Sequence, residues 1–164
     1  MTRRNSRYEP PEISTLLNPA LIALLLSRAA AAHVRETGRG LPYVYSPIVV
    51  TISLYPEARQ NLSMNVTTKF TSWVVRSVAL QPLLQSRIID MVPLVNEGFL
   101  FGLSHNVLRL EGGNVHPGSK GPTAAITSSS SDMQEAQRAA AYLGRWLARA
   151  GSPSTVCAML GITP

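Results

Sequence analysis

The feature that most constrains this chain is an Asn18-Pro19 start followed by a helical run that is apolar on every side. The Asn side chain can accept from the free amides of a first turn, and proline there has no amide to waste. A helix over 19–36 follows, closed by Gly38 and Gly40. Leu21, Ile22, Leu24, Leu25 and Leu26 leave its first turns no polar face, and Ala29, Ala30, Ala31 and Ala32 let another element approach closely. Such a helix is stable only when surrounded, so it predicts a core built around itself. With 164 residues, 45% of them hydrophobic, the chain can supply one domain of that kind.

Further along, Ser46-Pro47 repeats the cap-and-proline signal and predicts a second helix, although Ile48, Val49, Val50, Thr51 and Ile52 alone would suggest a buried strand. Pro56 breaks or restarts it, and 59–64 reads as a connection. Over 66–78, Phe70, Trp73, Val74 and Val78 share one helical face. Leu83, Leu84, Ile88, Ile89 and Val92 form another stripe, which Pro93 is expected to stop. Val95, Phe99, Leu103 and Val107 then begin a new helix. Immediately afterwards 107–110 alternates, Glu111-Gly112-Gly113-Asn114 tolerates positive φ, and 115–117 reads as a short return strand.

The expected fold class is therefore mainly α: a helical domain with a winged-helix-like core, helix, corner and helix plus a short β-hairpin wing. Residues 95–106 would take the recognition-helix position and 109–116 the wing. Residues 1–17 read as a flexible basic leader, and 18–164 as a single domain carrying a Gly/Pro/Ser/Thr-rich flexible loop at 118–131. Asp132 is expected to cap a helix to about residue 150, with Leu143, Trp146 and Leu147 on its buried side. Ser152-Pro153 opens a last short helix ending at Gly161.

Arg3, Arg4 and Arg7 ahead of the apolar run mimic a secretory signal, but Glu9, Glu12 and three prolines interrupt the leader and Arg28 ends the run early. A cytoplasmic location is expected, without a membrane span. Cys157 is the only cysteine, so no internal disulfide framework is possible, and a core thiol is the simplest reading. His33, His105 and His116 have no partner at metal-ligand spacing, no phosphate-cradling glycine motif is present, and no carboxylate pair has an assignable acid and base role. The expectation is no enzymatic activity and no cofactor, with any ATP chemistry belonging to a partner.

A net charge of +6 suits an acidic or phosphate-bearing partner, yet the basic residues are scattered. Residues 95–106 hold no Lys or Arg and carry Glu97, which weighs against reading bases with that helix. Candidate contacts to a DNA backbone are Lys69, Arg76, Arg109, His116 and Lys120. A mean hydropathy of +0.09 implies surplus apolar surface that a partner protein would cover. Candidate partner contacts are Phe99, Gly102, Leu103 and Arg109. Gly98 and Gly102, four apart, each cost about 1 kcal/mol in a helix relative to alanine, so close packing must compensate. Either the alanines at 29–32 or a partner fits them; likewise the wing either touches phosphate or closes the core.

Several strings in this order resemble the middle component of three-component ABC systems. They are Asn18-Pro19-Ala20-Leu21, Gly40-Leu41-Pro42, the Trp73 helix, Phe99-Leu100-Phe101-Gly102-Leu103-Ser104-His105 leading into Leu108-Arg109-Leu110, and Ala158-Met159-Leu160-Gly161-Ile162-Thr163-Pro164. The resemblance runs, with gaps, from Asn18 to the last residue. It implies a small adaptor subunit beside an SMC-like ABC ATPase and an effector, a nuclease, in modules similar to Lamassu-type anti-phage defence. The leader and the serine-rich stretch have no counterpart in it, and it supplies no catalytic residues. A freestanding winged-helix DNA-binding regulator is the alternative.

Overall fold

The computed structural model describes residues 18–128 and 130–164; the expected basic leader at 1–17 lies outside the described residues. Helix α1 (Pro19–Thr37) begins as anticipated, with the Asn18 Oδ1 accepting from the Ala20 amide at 2.9 Å, and ends at Gly38 with φ 70°. Residues on all its sides are buried, from Leu21 to His33. It packs against every large element of the fold described below, so the chain folds around it.

A two-residue strand β1 (Leu41–Pro42) and a 3-10 turn (Tyr43–Tyr45) lead into α2 (Ser46–Leu54). The β-branched run of α2 is helical despite its propensity because all of Ile48, Val49, Val50 and Ile52 are fully buried, against α5 and α6 among others. After α3 (Pro56–Gln60), helix α4 (Phe70–Arg76) is shorter than its stripe predicted: Val78 falls in a following 3-10 turn and is exposed.

The principal departure from expectation comes at Pro93. No corner forms there; α5 (Gln81–Ser104) is a single 24-residue helix with Pro93 inside it, so the helix-corner-helix of the anticipated core is not built. The buried positions explain why. Leu84, Ile88, Met91, Val95, Phe99 and Gly102 form one stripe that stays in phase across the proline and packs on α1 and α2. Burying the five large side chains is worth on the order of 10 kcal/mol, against about 3 kcal/mol for an internal proline. Pro93 also lies on the exposed face, where water can serve the Ile89 carbonyl that loses its donor.

Strands β2 (Leu108–Glu111) and β3 (Asn114–Pro117) form the expected hairpin, with Gly112 and Gly113 at φ 55° and 78° in the turn. The sheet has a third member, β1, giving the antiparallel order β1-β3-β2 with Leu41 opposite Val115. Helix α6 (Ser131–Leu147) is capped by Ser130, whose hydroxyl accepts from the Met133 amide; Asp132, the expected cap, sits in the first turn. Helix α7 (Pro153–Leu160) is capped by Ser152 and closed by Gly161 as expected. The chain is thus mainly helical with a small antiparallel sheet.

Tight contacts sort the glycines. A Cβ at Gly98 would overlap the Ile22 side chain, and one at Gly102 would lie 2.6 Å from Leu108 Cδ1 and 3.2 Å from Ala23 Cβ. Both glycines therefore admit the start of α1 and the hairpin, rather than the alanines at 29–32. The partner of Ala29 is Gly144 of α6.

Residues 118–128 carry no helix or strand, yet they are anchored. Buried Arg28 donates through Nη1 to the Thr123 carbonyl, through Nη2 to the Ala125 carbonyl at 3.1 Å, and through Nε to Gln137 Oε1 at 3.1 Å. Burial, and then the charge of Arg35, holds its pKa below the usual arginine value.

Candidate partner-binding face

Because its inner stripe is committed to the core, α5 decides which of its other residues meet solvent. Ile89 is 56% exposed, Val92 40% and Leu100 63%. At the N-terminal end of the helix Leu83, with Val75 and Val78 just before it, is exposed too, and Leu110 of the hairpin is exposed as well. Ile89 and Leu100, which share a face, are about 16 Å apart along the axis at the α-helical rise. Isolated exposed apolar residues need no explanation, but a file of them along one helix does.

Beside this file lies an apolar groove of about 290 Å³, lined among others by Tyr43, Pro47, Ile89, Val92, Val95 and Ile162. Its floor is rigid. Tyr43 packs edge-on against Phe99 with ring centroids 4.8 Å apart, and its hydroxyl donates to Asn96 Oδ1 at the rim. Cys157 also lines the groove but is fully buried, and burial pushes its thiol pKa up, away from the reactive thiolate.

The residues singled out from sequence divide. Phe99 and Gly102 are buried and serve the interior; Leu103 is half-buried; Arg109 is exposed on β2. Arg109, His116 and Lys120 are gathered on or just beyond the hairpin, where Arg109 and His116 face each other across the strands. Glu111 offsets the charge of Arg109, standing 2.6 Å from its Nη1, and lies 3.7 Å from His116 Nε2. Lys69 and Arg76 sit on a different element, at the two ends of α4, and are exposed. No single basic surface collects all five. His105 hydrogen-bonds the Phe101 carbonyl at 2.9 Å and stacks on that ring, which occupies it structurally.

Other charges turn out to be structural and were not legible as pairs. Arg59, nearly buried, reaches the Ser53 carbonyl at 2.8 Å and binds Asp132, with Glu135 at 3.5 Å. Glu36 near the end of α1 receives Arg145 Nε of α6 at 3.0 Å and Arg149 Nη2, just past the end of α6, at 3.2 Å. Those two hydrogen bonds hold its carboxyl below the ordinary range. Only large sequence separations, unreadable from spacing, bring these groups together.

Among the described residues, no group of three or more His, Cys, Asp or Glu could hold a metal, and no helix is long and apolar enough to cross a membrane. What the described residues do present is the exposed apolar face along α5. Over residues 6–164 the chain matches the model of the family described as ABC-three component (ABC-3C) system Middle Component 3. The chain belongs to this family. No curated protein and no solved structure matches it. As a Middle Component 3 protein it is one part of a multi-component ABC system, and partner proteins are implied.

Proposed function

We propose that this chain is a non-catalytic, cytoplasmic adaptor that links an SMC-like ABC ATPase to an effector nuclease in an anti-phage defence complex. The observation that carries the reading is the file of exposed apolar residues along α5, at Ile89, Val92 and Leu100, with a further exposed group at Val75, Val78 and Leu83. Two exposed apolar areas, one along α5 and one where α4 leads into it, suit a subunit that holds two proteins at once. Family membership supplies the ABC context.

Direct DNA binding is secondary in this reading. Arg109 already has a carboxylate partner, and Lys69, Arg76 and Lys120 are dispersed over two parts of the surface, so few phosphates are neutralised together. The test is a tagged pull-down of the chain co-expressed with its ATPase and effector, across a salt series, beside a DNA titration of the chain alone. The expected result is a complex that survives high salt, because apolar burial is not screened, and weak DNA binding without sequence preference. Tight, sequence-specific DNA binding with no stable ATPase complex would establish the regulator instead.

A further inference from the structure

Helix α5 presents more than scattered apolar residues. Ile89, Pro93, Asn96, Leu100 and Leu103 follow one another at spacings of 4, 3, 4 and 3, which is the heptad rhythm by which one helix packs on another. Ile89, Pro93, Asn96 and Leu100 are exposed and Leu103 is half-buried. Val92 borders this seam on one side and opens onto the apolar groove beside Tyr43.

The other side carries charge. Seven carboxylate side chains fall among the described residues: Glu36, Glu57, Asp90, Glu97, Glu111, Asp132 and Glu135. Five of them have an arginine within ion-pair distance. Asp90 and Glu97 have no such partner among the described residues, although the chain carries a net charge of +6. They are exposed, seven residues apart, and each directly follows a seam residue, Ile89 or Asn96. In heptad terms both occupy the flanking position where facing helices place ion pairs.

From this arrangement we infer that α5 docks an amphipathic helix of the ATPase subunit. That helix inserts a bulky apolar side chain into the groove beside Val92 and sets Lys or Arg opposite Asp90 and Glu97. The seam supplies apolar contact, the groove an anchor, and the two carboxylates fix register and partner choice. This inference rests on the adaptor reading and deepens it by naming the surface and the chemistry of what it takes.

The full chain, co-expressed with the ATPase of the same three-component system, is the material for the test. A photo-crosslinking residue at Leu100 is expected to capture an ATPase segment of helical periodicity bearing Lys or Arg on one flank. Asp90→Lys with Glu97→Lys is expected to weaken the complex by roughly tenfold or more and to reverse the sign of its residual salt dependence, while the melting temperature holds. A complex that forms normally with both charges reversed overturns the inference and leaves the adaptor reading intact. So does a crosslink that lands on residues 1–17 of the same chain or on a second copy. Failure of the unaltered chain to bind the ATPase at all overturns both.

Discussion

Replacing Gly144 by alanine probes the closest approach in the fold. A Cβ there would overlap the Ala29 carbonyl oxygen and stand 2.8 Å from its carbon and 2.9 Å from Ala29 Cα, all of them helix backbone. Ordinary carbon–oxygen contacts begin at about 3.3 Å, so α1 and α6 must part by about 1 Å where they cross. Both are buried at that point and lie at the centre of the core, and overpacking of this kind costs about 3 kcal/mol. The better helix propensity of alanine returns about 1 kcal/mol, leaving a net loss of about 2 kcal/mol. For a domain of this size that lowers the melting temperature by about 4 to 8 °C. Thermal melts followed by far-UV circular dichroism would measure it, with Gly102→Ala as comparison. There the clash is with the side chains of Leu108 and Ala23 rather than with helix backbone, so the loss should be smaller. An unchanged or raised melting temperature for Gly144→Ala, or the reverse order of the two variants, would refute the claim that α1 and α6 touch backbone to backbone.

Three further outcomes are expected. Arg28→Met should leave the carbonyls of Thr123 and Ala125 without their donor, cost about 1 to 3 kcal/mol, and speed amide exchange across 118–128; excising 119–131 should likewise destabilise the domain, by stranding Arg28. Glu36 has a folded pKa below its ordinary 4.5, so its link to Arg145 and Arg149 stabilises the fold above that pH and is lost as pH falls through the lowered value; Glu36→Gln should flatten that part of the acid-denaturation curve. Cys157, fully buried and with its thiol pKa pushed up, should react with a thiol reagent only as fast as the protein opens, which labelling rates across denaturant would show.

What the sequence made legible was whatever local chemistry decides. Asn18-Pro19, Ser152-Pro153 and Gly112-Gly113 act within a few residues, and each produces the expected helix start or turn. Pro93 misled because its cost is local while its compensation is not: the stripe through Leu84, Ile88, Met91 and Val95 is visible only when both halves of α5 are counted as one period. Leu83, Ile89 and Val92, grouped in one stripe with Leu84 and Ile88, are exposed, whereas Leu84 and Ile88 are buried. Strand β1 has two residues, one of them proline, and is recognisable only through its pairing with β3 more than seventy residues later. The anchors at Arg28 and Arg59 depend on partners equally remote in sequence. Phe99 and Gly102, chosen from sequence as partner contacts, lie on the buried side of α5.

The two tryptophans share one small neighbourhood. Trp73 and Trp146 meet edge-to-face with centroids 5.6 Å apart, flanked by Phe70 and Tyr142. Their indole N–H groups are tied to the 61–69 connection, at the carbonyls of Asn61 and Thr68. Intrinsic emission from this protein is therefore a report from a single address. A ligand helix settling on the far side of α5 would leave the spectrum nearly silent, whereas loosening of the 61–69 connection would shift it before the rest of the molecule gave way.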